Sequence, residues 1–138
     1  MNLLGIWLLV LASVTVTLAQ QSAKDSSPST PPKVTIEGLV RDIACPIQNF
    51  EATATHYSKK CLNECAHNGA PLGILTEDGD IYVPISDQMP DTDQRQKLLP
   101  FVGKYVQVSG VVYDRKGTRA IAIGEIKEMK DVHLTVDE

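Results

Sequence analysis

Basic charge, aromatic side chains and cysteine are all scarce in this chain. Its net charge is -4, and it holds one Trp, two Phe and four Tyr. A phosphate backbone demands a basic footprint, so nucleic acid is excluded as the ligand. There is no Cys-x-x-Cys-His motif for haem attachment. Iron–sulfur ligation normally uses four cysteines, and only three are present. No Ser-His-Asp order, phosphate-cradling glycine loop or acid–base pair stands out. The chain therefore reads as a binding protein rather than an enzyme.

Long apolar runs are also missing, with one exception. Leu3 to Val16 is almost wholly apolar and is followed by small residues near Ala19. This length is short of the about 20 residues a membrane span needs. It fits a secretory signal peptide over 1–19, with Thr17 and Ala19 in the small-residue sites, although no Lys or Arg precedes it. An uncleaved anchor is the competing reading; cleavage would leave no stable membrane insertion. The chain is thus expected to be exported, to the periplasm or beyond. Residues 20–33 (QQSAKDSSPSTPPK) are polar and Pro-rich and read as a disordered linker. The domain is expected over 34–129, and 130–138 as an acidic, frayed tail in which Val132, Leu134 and Val136 alternate and can extend a strand.

Within 34–129 the dominant signal is period-two alternation. VTIEGLVRDIAC reads as a long first strand ending at Cys45, with Gly38 permitting a bend. Leu72–Thr76 and Asp80–Ile85 flank Glu77-Asp78-Gly79, a hairpin signal, with Pro84 ending the second strand or sitting at its edge. Asp91 or Thr92 caps a short helix that brings Leu98 and Leu99 to the core. KYVQVSGVVY and TRAIAIGEIKEM form a closing hairpin around Asp114–Gly117. Five strands with a helix between the third and fourth is the order of a mainly β, five-stranded OB-like Greek-key barrel. Residues 46–71 interrupt it as a helical insertion. Ser58 caps a helix through Ala66, and Asn68-Gly69 stops it.

That insertion carries the chemistry. The three cysteines are Cys45, Cys61 and Cys65, and His56 falls among them. An odd count in an exported chain leaves one thiol free, pairs it with another chain, or gives all three a shared task. Cys61 and Cys65 lie on one helix face with β-carbons about 5–6 Å apart. A disulfide wants roughly 3.5–4.5 Å, whereas a metal with sulfur bonds near ~2.3 Å spans the gap. Cys45, stopped by Pro46, is expected at a rigid barrel rim facing them. His56 serves as a fourth ligand only from a non-helical turn, because on the same helix it would point about 140° away from Cys61. His67 is the competing imidazole. A disulfide from Cys45 to Cys61 or Cys65 with a spare thiol, or three inert buried cysteines, are the plainer readings. Asp78, Asp80, Asp87, Asp91 and Asp93 do not match a calcium loop and read as turn and cap residues. Met89 and Met129 read as packing residues.

The segments GLVRDIACPI, HYSKKCLNECAHNGAPLGILTEDGDIYV and GKYVQVSGVVYDRKGTRAIAIGEI together resemble a group of small exported bacterial proteins with an OB-like domain. Their shared pattern is a Cys after the first strand, a His, Cys-x3-Cys-Ala, Gly-x-Pro and a terminal hairpin. The resemblance covers nearly the whole domain and implies that Cys45, His56, Cys61 and Cys65 belong to one site. It supplies no chemistry for that site. Thiolates with an imidazole suit Cu(I), and also zinc. Copper is favoured because disulfides serve for structural stabilisation in exported proteins. The ligand set is similar to that of Sco-type copper chaperones, whose fold is thioredoxin-like, so the likeness is one of site alone. The expectation is an exported protein that holds copper, or alternatively zinc, through Cys45, His56, Cys61 and Cys65. A protein partner would take part in metal or thiol exchange. The alternatives are a thiol–disulfide redox protein, or an OB-type interaction domain with one structural disulfide.

Overall fold

The structure is a computed structural model that describes residues 31–138. The signal segment 1–19 and most of the linker at 20–33 lie outside the described residues. The protein is mainly β, with a five-stranded sheet. β1 is Lys33–Asp42, β3 Leu72–Leu75, β4 Ile81–Ile85, β5 Tyr105–Arg115 and β6 Thr118–Glu128. The pairing order is β1-β3-β4-β6-β5, and β5 pairs back onto β1, so the strands close on themselves. All pairings in this ring are antiparallel except β4 with β6. No helix among the described residues is long and apolar enough to cross a membrane.

Two glycines make the ring possible. A Cβ at Gly38 would run into the carbonyl of Leu75 on β3, and one at Gly110 into the carbonyl of Ala122 on β6. Gly110 also sits at a register shift between β5 and β6. Both positions let neighbouring strands approach where the sheet bends. Inside the ring, Val40, Ile74, Val106, Val108 and Ile121 are fully buried, and Leu98 closes one end. Leu98 comes from a short helix, α3 (Arg95–Leu98), which continues as a 3₁₀ turn through Leu99–Phe101. The expected helix is therefore present, but its boundary differs. Gln94 occupies the cap position, while Asp93 accepts the Arg95 amide at 2.8 Å. Leu99 stays exposed, because the 3₁₀ turn rotates it away from the core.

The first half of β1 alternates between exposed and partly buried residues, but its last five residues are all buried. The outer face there is covered by a second apolar cluster of Leu39, Ala54, Leu75 and Tyr105, joined by Tyr57, Met129, Val132 and Leu134. Residues 130–138 are thus not frayed. Val132 and Leu134 pack on this cluster, and Thr135–Asp137 forms β7, parallel to β2 (His56–Ser58). The alternation of Val132, Leu134 and Val136 carries this strand, as the second reading of the tail allowed.

Tyr105 is 5% exposed, and its hydroxyl donates to Glu77 at 3.2 Å. Burial, reinforced by the Glu77 carboxylate, pushes its phenol from 10.0 to about 12. The folded state therefore holds this proton longer than the unfolded chain does. Stability linked to Tyr105 is complete below pH ~10 and is lost as pH rises towards ~12, by on the order of 2 kcal/mol. Denaturant titrations at pH 9 and 11 should show this loss in the native chain and a smaller one in Tyr105→Phe. An equal loss in both would refute the assignment.

Candidate thiol site at the end of the first strand

The insertion is built of α1 (Ala44–Gln48), β2 and α2 (Lys59–His67). Cys45 does not end β1 as expected. The strand stops at Asp42, and the chain turns at Ile43 into α1, with Cys45 in its first turn. The cause is local: Asp42 Oδ1 accepts the Cys45 amide at 2.8 Å, replacing a ladder partner and starting the helix. Pro46 then falls in that first turn, where its missing N–H costs nothing. The helix expected to begin at Ser58 is present. The Ser58 hydroxyl accepts the Cys61 amide at 3.3 Å, and Leu62 and Ala66 are its buried face. At its other end, the Arg95 guanidinium donates to the carbonyls of Ala66 and Ala70. These bonds tie α2 to α3.

All three cysteines are free thiols, and Cys45 and Cys61 line one recess. Cys61 is exposed, while Cys45 and Cys65 are half-buried. Cys61 and Cys65 are one turn apart on α2. Burial pushes the Cys45 thiol up. The positive charge of the Arg41 guanidinium opposes that rise, while Asp42 and Cys61 add to it. Burial also pushes the Cys65 thiol up, followed in effect by Asp42, Cys61 and Cys45. As they stand, no three His, Cys, Asp or Glu side chains among the described residues are drawn close enough to hold a metal ion.

A recess of about 320 Å³ opens over the cluster, lined by Arg41, Cys45, His56, Tyr57, Cys61 and Asp137, among others. His56 is therefore at the mouth of the same recess, and in β2 it is non-helical, as a role beside the thiols required. Its ring is engaged elsewhere: Nε2 bonds with Asp137 Oδ2 of β7 at 2.8 Å. Lys59 and Glu138 extend that contact at 3.4 Å. His67, the competing imidazole, is exposed at the far end of α2.

Arg41 and Asp42 were not singled out by sequence reasoning. They are 4% and 0% exposed and form an ion pair at 3.8 Å. Arg41 Nε and Asp42 Oδ2 lack hydrogen-bond partners. The signal that would have found them is the charged dipeptide inside LVRDIAC, an otherwise apolar run entering a cysteine. Such a pair at the end of a buried strand is costly unless it serves its neighbours. Comparison with family models, curated proteins and solved structures finds no match.

Proposed function

We propose that the protein captures a thiophilic metal ion, copper or zinc, through Cys45, Cys61 and Cys65. The scaffold in this reading is an exported OB-like Greek-key barrel, consistent with the ring order β1-β3-β4-β6-β5. The observation that carries the reading is the placing of the chain's three cysteines in the insertion, with Cys45 and Cys61 lining one recess and Cys65 one turn along α2 from Cys61. They come from two separate helices, and all remain free. Burial and mutual repulsion keep Cys45 and Cys65 protonated in the metal-free protein. A bound cation reverses that balance, and its binding releases the thiol protons. The thiols are not held in a finished polyhedron, and Cys61 is open to solvent. Both features suit a site that loads and unloads more than a closed structural one. His56, paired with Asp137, borders the entrance in this reading.

One equivalent of Cu(I) or zinc should protect all three thiols of the full chain from a disulfide reagent. The protection should strengthen as pH rises from 6 to 8, because fewer protons then compete. Three thiols that stay equally reactive with and without metal would refute the proposal.

A second reading has its own observation. The positive charge of Arg41 favours the Cys45 thiolate, and both residues line the same recess as the exposed Cys61. This fits thiol–disulfide exchange between α1 and α2. It predicts that a small-molecule disulfide, itself reduced to two thiols, converts Cys45 and Cys61 reversibly into a bridge in metal-free protein, read by mass spectrometry after alkylation.

A further inference from the structure

We propose that the protein has a second site, which binds a small aliphatic amine in its ammonium form. This site stands apart from the metal reading, because its recess shares no lining residue with the one beside Cys45 and Cys61. The recess has a volume of about 370 Å³, of the order that small-molecule sites need. Its walls are the turn from α2 into β3, the middle of β4, and the loop at 91–95 that leads into α3. The observation that points to a ligand is Gln94. Its side chain lines the recess, and the residue is only 9% exposed. Nε2 donates to the Thr92 carbonyl at 2.8 Å and to Thr92 Oγ1 at 2.9 Å. Those bonds fix which way the amide faces, since turning it over would set Oε1 against the Thr92 carbonyl. The atom left over is therefore an acceptor: Oε1 is buried and has no hydrogen-bond partner. A buried amide oxygen in that state is costly and calls for a donor.

The surroundings of Gln94 specify the donor. Asp91 and Asp93 line the same recess. Each uses one oxygen on a backbone amide: Asp91 Oδ1 accepts from Ser86 at 2.6 Å, and Asp93 Oδ1 from Arg95 at 2.8 Å. Neither carboxylate has an ion-pair partner among the described residues. Arg95 also lines the recess, but its guanidinium donates to the Ala66 and Ala70 carbonyls. A positively charged donor therefore complements this recess, and an anion is repelled. A metal ion does not fit, because no three His, Cys, Asp or Glu side chains among the described residues come close enough to hold one. Leu72 and Val83 form part of the wall and suit a short carbon chain. An ammonium group on an alkyl stem meets these conditions together. Its three N–H groups donate to Gln94 Oε1 and to the two carboxylates, and its carbons lie on the apolar wall.

The test is an NMR titration of the full chain with pentylamine, beside pentanol and pentanoate, which carry a similar carbon chain without positive charge. Pentylamine should give saturable shifts confined to residues around the recess, the Gln94 side-chain amide among them. Pentanol should bind at least about tenfold more weakly, and pentanoate should not bind. Gln94→Met keeps the length of the side chain and removes its oxygen, and should weaken pentylamine about tenfold. Asp91→Asn keeps an acceptor for the Ser86 amide and removes the charge, and should weaken it about threefold. Equal binding of pentylamine and pentanol would reduce the recess to an apolar hollow. Shifts spread over acidic residues elsewhere would reduce the effect to charge alone. No saturable shift would leave Oε1 to water. Each of these results overturns the proposal, as does native affinity in Gln94→Met. Should Gln94→Met fail to fold, a nuclear Overhauser contact between pentylamine and the Gln94 amide of the native chain decides in its place. Its presence supports the site, and its absence overturns it.

Discussion

Cys45→Ser should abolish metal retention as completely as Cys61→Ser, weakening it by at least about 100-fold. This is a demanding expectation, because a helix pair spaced Cys-x3-Cys is the obvious two-point grip on an ion. Cys45 lies sixteen positions before Cys61 in another helix, and a two-thiol site would not need it. The Cys45 backbone is pinned by the Asp42 side chain, so its thiol is offered with little freedom left to lose. Serine has nearly the same shape and keeps that amide bond, so the change isolates the sulfur. Retention is measured by competition against a chelator of known strength. Full retention in Cys45→Ser would reduce the site to the helix pair and leave Cys45 a packing residue.

Leu62→Ala should cost about 2–5 kcal/mol in denaturant unfolding and should lower metal affinity with it. Leu62 is 1% exposed and lies between the two helix cysteines. Together with Ala66 it forms the face by which α2 seats on the domain. α2 lies against β1, the strand that ends at Asp42 and leads into the helix bearing Cys45. Truncating Leu62 leaves a cavity under that helix and frees it to shift relative to Cys45. The midpoint should fall with an unchanged slope, and a saturating thiophilic metal should restore part of it, since only the folded chain presents the site. A loss below about 1 kcal/mol would show that α2 is held mainly by Arg95 and the β2–β7 pairing.

The strands were legible because alternation survives wherever one face meets a core. β5 and β6 followed their sequence signal nearly to the residue, as did the Asp78-Gly79 hairpin. Pro84 was read as an end or edge, yet β4 continues to Ile85. α2 was legible through its Ser58 cap and its lack of β-branched residues. The misses share one cause: they depend on contacts distant in sequence. Cys45 turns into a helix because of a side chain three residues earlier, which alternation does not register. The tail is ordered by β2, with His56 opposite Thr135, and nothing local to either segment announces the other. Leu98 and Leu99 look alike in sequence, and only the 3₁₀ turn separates buried from exposed. In the site, cysteines announce themselves by rarity. Arg41 and Asp42 look like two ordinary strand charges until their burial is seen.

The most direct measurement is elemental analysis of the protein purified from its native host, with free thiols counted on the same sample. The account predicts near-stoichiometric zinc or copper and all three thiols recovered after denaturation in chelator. No metal and a single free thiol would contradict it, and would assign the cluster to a disulfide with one spare cysteine.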